Sequence, residues 1–219
     1  MESTEGAAMQ FSDVVRRRRM VRNYDPDRQV APEVVDRLLE HAIRAPSAGF
    51  SQGWGFLVLD AAEDRARFWA ATTPESAASP STPSAAGRGE GRWLAGMKQA
   101  PLIVVPHANR SAYLERYAEP DKGWSDRDGA RWPVPYWYVD TGFAALLILL
   151  TAVDEGLGAC FFGIPPQRVQ PFRDAFGVPA EFTPIGALTI GYPAPDRRSP
   201  SLKRGRKPVE EVVHRGRWD

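Results

Sequence analysis

Arginine side chains are concentrated near the start of the chain, where five of them fall within the seven residues from Arg16 to Arg22. The formal net charge of the whole chain is only +1, so this density is local. Guanidinium groups bind phosphates and carboxylates through paired hydrogen bonds, and the cluster is therefore suited to an anion. A solvated helix end and a nucleic-acid patch are the two other interpretations of the same pattern.

A second, smaller basic cluster lies near the other end of the chain, where Arg204 and Arg206 precede Pro208. Proteins that bind nucleic acids usually carry a marked excess of basic residues. Here 28 Lys and Arg residues are balanced by 27 Asp and Glu residues. The balance disfavours nucleic acid as a partner and leaves an anion site, or two solvated basic segments, as the remaining interpretations.

Other kinds of site are not supported by the residue pattern. Cys160 is the single cysteine, which excludes an intramolecular disulfide, and we interpret it as a small buried hydrophobe. His41, His107 and His214 are too scattered to suggest metal ligands, and no Ser-His-Asp or paired-carboxylate arrangement is recognisable. We therefore predict no metal.

Flat side chains are dense in the segment KGWSDRDGARWPVPYWYVD, which begins at Lys122. Rigid aromatic rings line pockets that accept planar molecules, but they are equally common in cores and in subunit interfaces. The pocket interpretation predicts substrate contacts from Trp124, Trp132, Tyr136 and Tyr138.

Hydrophobic periodicity predicts helices that alternate with strands. Ser12 is a candidate N-cap for a short first helix, and Pro32 begins a second helix that ends before Pro46. Further along the chain we predict a strand at 54–60, a helix at 63–71, a strand at 101–108 and a helix at 110–118.

The segment from Val139 to Gly156 is apolar almost all round, and it predicts a helix that is buried on every side. Two further strands are predicted at 159–164 and 183–192, with a helix at 166–177 between them and a short helix from Pro208. Together these elements predict one sheet covered by helices.

A single domain is predicted for residues 10–219, preceded by a disordered segment at 1–9. Residues 73–92 are rich in Pro, Ser, Ala and Gly, and we predict a flexible loop that covers the pocket together with the aromatic segment. The N-terminus lacks the order of a secretion signal, and the longest apolar run is shorter than the ~18 residues of a membrane span. The sequence thus predicts a cytoplasmic protein without a membrane partner.

Four segments in this order resemble the FMN-dependent nitroreductase family: RRRRMVRNY, APSAGFSQGWGFLVL, EGLGACFFG and RGRKPVEEVV. Their order and spacing cover nearly the whole chain. The resemblance implies an α+β fold with a central, mainly antiparallel sheet surrounded by helices. It also implies an intertwined homodimer with two FMN sites at the subunit interface.

The resemblance carries roles to individual residues. Arg18 and Arg19, completed by Arg204 and Arg206, match the basic residues that hold the FMN phosphate. Arg22, expected one helical turn further on, matches the residue that holds the flavin ring, where a cation favours acceptance of the hydride. Arg16 and Arg17 match nothing functional. The implied cofactor-binding set is Arg18, Arg19, Met20, Arg22, Pro46, Ser47, Ala48, Phe50, Gln52, Phe162, Gly163, Arg204 and Arg206.

The second and third motifs have different implied roles. Pro46, Ser47 and Gln52 match a loop that reaches the flavin from the partner subunit. Phe162 and Gly163 match a segment whose backbone lines the reactive face of the flavin.

Three positions depart from the pattern of the family. Met20 stands where a serine is usual, which removes a hydroxyl from the phosphate region. Phe50 and Gly53 replace an asparagine and a proline, so that an apolar wall replaces a polar contact. These departures bear on acceptor specificity more than on the cofactor.

The resemblance implies an oxidoreductase that transfers hydride from NADH or NADPH through FMN to a nitroaromatic, a quinone or a similar small planar acceptor, in a ping-pong mechanism. The flavin carries the chemistry, so no catalytic side chain is required. Two alternatives stay open: a specialised FMN-dependent dehydrogenase or oxidase of a biosynthetic pathway, and a non-catalytic flavin- or deazaflavin-binding protein.

Overall fold

The computed structural model describes residues 9–73, 87–196 and 199–218. These residues contain five strands in one sheet, in which each neighbouring pair is antiparallel. The order is β1-β2-β5-β3, and β4 pairs with the end of β2. The strands are β1 (Trp54–Leu59), β2 (Leu102–Asn109), β3 (Gly158–Phe162), β4 (Phe182–Pro184) and β5 (Ala187–Gly191).

Helices cover both faces of this sheet, which confirms the predicted α+β fold with an antiparallel sheet surrounded by helices. Most begin and end within three residues of their predicted bounds, because their apolar periodicity is strong. Within the described residues the helices are α1 (Phe11–Arg17), α2 (Pro32–Ala42), α3 (Ala62–Thr72), α4 (Gly87–Lys98), α5 (Arg110–Ala118), α6 (Tyr136–Asp154) and α7 (Val169–Phe176).

The central strand β2 supplies side chains to two hydrophobic cores. Leu102 and Val104 pack with α2 and α6 on one face of the sheet. Ile103 and Val105 pack on the other face with residues of α3, α4 and α7. Because successive side chains of a strand point to opposite faces, one apolar run fills both cores.

Helix α6 packs against α2 and the sheet, and Ala144 and Ile148 are fully buried there. Its length and composition alone would allow it to cross a membrane, but half of its apolar stretch is buried inside this chain. The prediction that it is buried on every side is wrong for a single chain, because Phe143 and Leu146 are more than 40% exposed. One apolar stripe of the helix is therefore uncovered.

Helix α4 begins at Gly87, inside the segment 73–92 for which a loop was predicted. Its apolar residues explain the difference, because Met97 is fully buried while Trp93 and Leu94 pack on the second core. Once these residues have formed a helical turn, extension of the helix toward its N-terminus costs little free energy per residue. Residues 1–8 and 74–86 lie outside the described structure. The disorder predicted for the first segment and the mobile cover predicted for the second therefore stay predictions.

Three smaller predictions are also corrected. Helix α1 begins at Phe11, without a cap from Ser12, and Gln10 precedes it. The strand predicted at 183–192 is divided at Gly186, where the ring of Phe161 would lie 2.5 Å from an added Cβ. The helix expected from Pro208 is a single 3₁₀ turn at Val209–Glu211, because its apolar residues have no core to pack against.

A buried histidine lies in β2. His107 is 4% exposed, its ring stacks on Phe172 with 5.9 Å between centroids, and its Nε2 has no hydrogen-bond partner within the described residues. Burial disfavours the charged imidazole and lowers the pKa of His107 from 6.5 to about 4.

This shift predicts acid sensitivity. Above pH 6.5 the imidazole is neutral in both the folded and the unfolded chain, so its protonation does not alter the free energy of unfolding. As the pH falls from 6.5 towards 4, only the unfolded chain takes up the proton, so the stability of the fold decreases. His107→Phe is expected to abolish about 2–3 kcal/mol of this loss at pH 4.5.

Denaturant unfolding of both proteins at pH 7.5 and pH 4.5 measures the effect. Other titrating groups cancel in the difference between the two proteins. A difference that is independent of pH would contradict the assignment of the neutral state to His107.

Candidate functional site

The arginine segment is extended along one edge of the sheet. Helix α1 ends at Arg17, and the chain then joins β3 through a bridge between Met20 and Ala159, where the Val21 amide donates to the Ala159 carbonyl at 3.0 Å. The expectation that Arg22 lies one helical turn beyond the phosphate ligands is therefore wrong. Hydrogen bonds to the sheet replace those of a helix and spread the arginines along its edge.

Tyr24, the last residue of the motif, anchors the segment to the sheet. It is 1% exposed, and its hydroxyl lies 2.7 Å from the Val21 carbonyl and 2.9 Å from the hydroxyl of Thr189 in β5. Burial raises the pKa of Tyr24 far above its usual range, so the hydroxyl stays protonated and donates. The position of the arginines is thereby fixed relative to the sheet.

The side chain of Arg18 is the most direct indication of an anion site. Its Nη1 is buried and has no hydrogen-bond partner within the described residues. A buried cationic donor without an acceptor is costly, and an anion placed beside it would remove that cost. A phosphate group fits this requirement because its oxygens accept charge-assisted bonds from guanidinium.

The neighbouring arginines are held by Asp196, which follows β5. The Oδ2 atom of Asp196 accepts from the backbone amide of Arg22 at 2.9 Å and lies 3.5 Å from Nη1 of Arg19. The Arg22 side chain is partly buried and its Nη1 lies 3.4 Å from the Met20 carbonyl. Asp196 thus orients a basic segment without neutralising Arg18.

Met20, which replaces the usual serine, has a structural role. Its thioether packs against both hydrophobic cores, and its sulfur accepts a weak hydrogen bond from the Phe161 amide at 3.4 Å. The side chain therefore joins the arginine segment to β3. A serine here would lose much of this packing.

The second motif forms a tight turn before β1. Residues Ala48–Phe50 make one 3₁₀ turn, and the backbone φ angle is positive at Gly49 (63°), Phe50 (57°) and Gln52 (50°). Left-handed conformations are uncommon for residues other than glycine, and they cluster at functional sites. Phe50 is 74% exposed at the tip of this turn.

Several hydrogen bonds hold the turn. The Gln52 amide donates to Oγ of Ser47 at 3.0 Å, and Arg116 of α5 donates from Nε to the Gly49 carbonyl at 2.9 Å. The Ala48 amide donates to Oδ2 of Asp140 in α6 at 2.8 Å. Side chains from two helices therefore stabilise the strained backbone. Pro46, at the other end of the motif, follows the C-terminal turn of α2.

The glycine at position 53 follows from the packing of α5. A Cβ atom on Gly53 would lie 2.5 Å from the ring of Tyr113 and 2.8 Å from the Asn109 carbonyl. The Gly53 carbonyl in turn accepts from the Asn109 amide at 2.8 Å. This close approach explains why the usual proline is absent here.

The aromatic segment packs beside this turn, around the ring of Trp132. Tyr117 and Trp124 lie with their ring centroids 4.6 and 5.5 Å from that of Trp132, and Ala48 belongs to the same cluster. The structure thus brings two of the predicted site segments together. Trp132 is partly buried against this cluster, whereas Tyr136 and Tyr138 are more than 40% exposed.

The third motif contributes backbone more than side chain. The ring of Phe162 stacks on Trp69 at 5.7 Å and 8° and also contacts Trp93 in the second core. At Gly163 an added Cβ would meet nothing within 4 Å. The surface beside Gly163 is therefore open, and the role of this segment at the flavin stays a prediction.

Arg204 and Arg206 lie in an exposed tail. The backbone hydrogen bonds of residues 201–213 join tail residues to one another, as does the Lys207–Glu211 ion pair at 4.0 Å. No hydrogen bond or ion pair in the described part of the chain connects either arginine to the segment around Arg18.

Sequence reasoning missed Asp140, Asp196 and Arg116, because each acts through contacts between distant segments. Asp140 left a signal nonetheless, as the one acidic residue in the first fourteen positions of the apolar helix α6. Among the described residues, no group of His, Cys, Asp and Glu side chains could hold a metal ion.

Comparison with known proteins identifies the family. The model of the Nitroreductase family matches residues 15–192, which span the arginine segment, the turn and all five strands. The chain belongs to the nitroreductase family.

Three relatives illustrate the similarity. A protein of Methanothermobacter thermautotrophicus, named as a candidate NADH dehydrogenase/NAD(P)H nitroreductase, is 29% identical over 189 residues, which are 85% of this chain and 78% of the relative. The structure of NfrA2 from B. megaterium has a TM-score of 0.72 at 19% identity and covers 96% of this chain and 76% of its own. A candidate nitroreductase from Exiguobacterium sibiricum, solved in complex with FMN, has a TM-score of 0.68 at 20% identity and covers 97% and 98%.

The packing at Gly53 predicts that this nitroreductase-family chain tolerates no side chain there. Gly53→Ala is expected to lower the free energy of unfolding by about 1–3 kcal/mol, because neither the Tyr113 ring nor the Asn109 backbone can move freely. Chemical denaturation measures the change, with Gly163→Ala as the matched control in open space. Equal stability of the two variants would contradict the predicted clash.

Proposed function

We propose that this nitroreductase-family protein is an FMN-dependent oxidoreductase that passes hydride from NADH or NADPH to a nitroaromatic, quinone or similar conjugated acceptor by a ping-pong mechanism. The carrying observation is the buried and unpartnered Nη1 of Arg18. The family match, the name of the archaeal relative and the FMN complex of a protein with the same fold support the proposal.

Arg18 and Arg19 would hold the FMN phosphate, and Arg204 and Arg206 would complete its binding. Arg22 lies beyond them on the same edge of the sheet, where its charge would favour negative charge on the flavin ring. FMN, when bound, supplies the two-electron hydride chemistry. Asp196 would keep Arg22 in place through its backbone amide.

The protein itself would bind, orient and exclude water rather than transfer electrons. Burial raises the pKa of the Cys160 thiol to about 11, so this cysteine is a protonated core residue and not a redox group. Phe50, Tyr136 and Tyr138 expose flat side chains near the turn and would contact a small planar substrate. The proposal places the reaction in the cytoplasm, without a membrane or nucleic-acid partner.

A homodimer would complete the site. The exposed apolar stripe of α6, with Phe143 and Leu146, and the apolar residues of the exposed tail are suited to a second copy of the chain. Such a copy would bring the tail arginines and the turn at Ser47 and Gln52 to the arginine segment. An interface of this kind is expected to bury more than ~2,000 Å².

The exposed aromatic ring of Phe50 favours one alternative, a specialised FMN-dependent dehydrogenase or oxidase that acts on a particular intermediate. A bulky apolar residue at this place would select acceptors by shape. Oxidation of NADH and NADPH with a panel of nitroaromatics and quinones distinguishes the two, since a specialised enzyme would turn over few of them.

The phosphate assignment predicts a large effect of Arg18 and little effect of its neighbour. The protein is expected to purify yellow with about one FMN per chain, and Arg18→Ala is expected to raise the dissociation constant of FMN roughly thirtyfold, for a loss of ~2 kcal/mol. Arg17→Ala, at an exposed position that matches no functional residue, is the control. Fluorescence titration of the apoprotein measures both, and equal affinities would show that the phosphate lies elsewhere.

The dimer assignment predicts that Phe143→Asp yields a monomer with little bound FMN, because an unpaired carboxylate would be buried in the interface. Ala95→Asp places the same charge on an exposed position of α4, on the other face of the sheet, and is expected to leave the dimer intact. Light scattering gives the oligomeric state. A wild-type monomer that binds FMN fully would refute the dimeric site.

A further inference from the structure

We propose that Asp140 is a positioning residue, whose buried carboxylate fixes the strained turn Ala48–Gln52 and thereby the placement of Phe50 toward the acceptor. This inference rests on the proposed function. Asp140 lies in α6, far from the turn in the sequence, and the fold brings the two into contact.

The first support is the cost of placing a carboxylate where Asp140 lies. The residue is 3% exposed, in the first turns of a helix whose other buried residues are mostly apolar or small. A buried carboxylate is strongly destabilising unless hydrogen bonds compensate for the lost water. A leucine or an alanine at this position would avoid the cost of burying a charge. The hydrogen-bond donors around the carboxylate therefore explain why an aspartate suits this position.

The second support is that two donors converge on one oxygen atom. Oδ2 of Asp140 accepts from the Ala48 amide and from the Tyr113 hydroxyl, both at 2.8 Å. Burial raises the pKa of Tyr113 well above its usual range, so its hydroxyl remains a donor. The carboxylate therefore links the turn to α5 as well as to α6.

The third support is that these two contacts control both ends of the turn. The Ala48 amide lies at its start, and the Tyr113 ring lies against Gly53 at its end, within 2.5 Å of where a Cβ atom would be. Between them the positive φ angles of Phe50 and Gln52 are unfavourable for an isolated peptide. Without Asp140, the turn would keep the side-chain bonds of Arg116, Ser47 and Ser51 and its own backbone bonds, but it would lose its link to α6.

The turn and Arg18 would therefore have different roles, since the turn positions Phe50 for the acceptor and Arg18 binds the phosphate. The turn presents the exposed ring of Phe50 at a fixed position only as long as its backbone keeps the left-handed conformation. A relaxed turn would leave the ring free to adopt many positions. Binding of a bulky acceptor would then weaken, while the phosphate contacts of Arg18 would be unaffected.

The test compares three variants with the wild-type holoenzyme. Asp140→Ala removes the acceptor for both donors. Asp140→Asn keeps one carbonyl oxygen that can accept from both, because they converge on a single atom. Thr141→Val is the matched control, since Thr141 is the adjacent, fully buried residue and its hydroxyl donates only to the Trp137 carbonyl of its own helix.

The first readout is hydrogen exchange of each protein as purified, which does not depend on activity. In Asp140→Ala the Ala48 amide is expected to exchange at least ~10-fold faster, and amides of β2 are expected to be unchanged. Asp140→Asn is expected to recover most of the protection. The second readout is steady-state kinetics, in which Asp140→Ala is expected to raise KM for bulky acceptors about tenfold with a smaller change for small acceptors and in the affinity for FMN.

The outcomes separate this inference from the proposed function. A wild-type protein that neither binds FMN nor oxidises NADH or NADPH would refute the proposed function, while the exchange experiment would still test the positioning role. Equal exchange of the Ala48 amide in all variants would overturn the inference. It would also be overturned if Asp140→Asn were as impaired as Asp140→Ala. Should Asp140→Ala fail to fold, Tyr113→Phe removes one of the two donors and is expected to give a smaller change in the same readouts.

Discussion

Burial of the central strand β2 on both faces is the constraint on which the rest of the structure depends. Each residue from Leu102 to Ala108 is buried, so helices must cover the sheet on both sides. Because both faces of the sheet are covered, the motifs are attached at its edges. The arginine segment joins β3 at Ala159, and the turn at Ala48 runs directly into β1. A rigid platform of this kind holds polar groups more precisely than loops alone would hold them.

Electrostatics at the arginine segment follow from that attachment. The Tyr24 hydroxyl and the Asp196 carboxylate fix the backbone between them, and neither uses Arg18. The sheet edge thus holds one guanidinium nitrogen away from water without giving it an acceptor. Removal of a hydrogen-bonding group from water costs free energy. This cost is already part of the free energy of folding before any ligand binds. In the proposed function, an anion would meet a group that is already desolvated and oriented, and such preorganisation would favour affinity.

The sequence predicted elements whose information is local and missed those that depend on distant contacts. Helix α2, with Pro32 at its start and a continuous apolar face, is confirmed, as is the strand β1 that follows the turn. Two features failed: the extended conformation of the arginine segment, which is set by hydrogen bonds to Ala159, and helix α4, whose stabilising residues follow a segment of low complexity. The family resemblance predicted which motifs form the site. The contacts of the buried Asp140 and the partly buried Asp196 join segments far apart in the chain, and they needed the structure.

The three motifs are attached to the fold in different ways. The arginine segment is fixed to β3, and the turn at Ala48 is fixed to α5 and α6. A carboxylate holds each of them, from Asp196 and from Asp140 respectively. In the exposed tail with Arg204 and Arg206, the backbone hydrogen bonds of residues 201–213 join tail residues to one another. An exposed tail with apolar residues gains stability only when a surface outside the chain covers it. In the proposed homodimer, a second copy would cover this tail, and cofactor binding and association of the chains would then be thermodynamically linked, so that each favours the other.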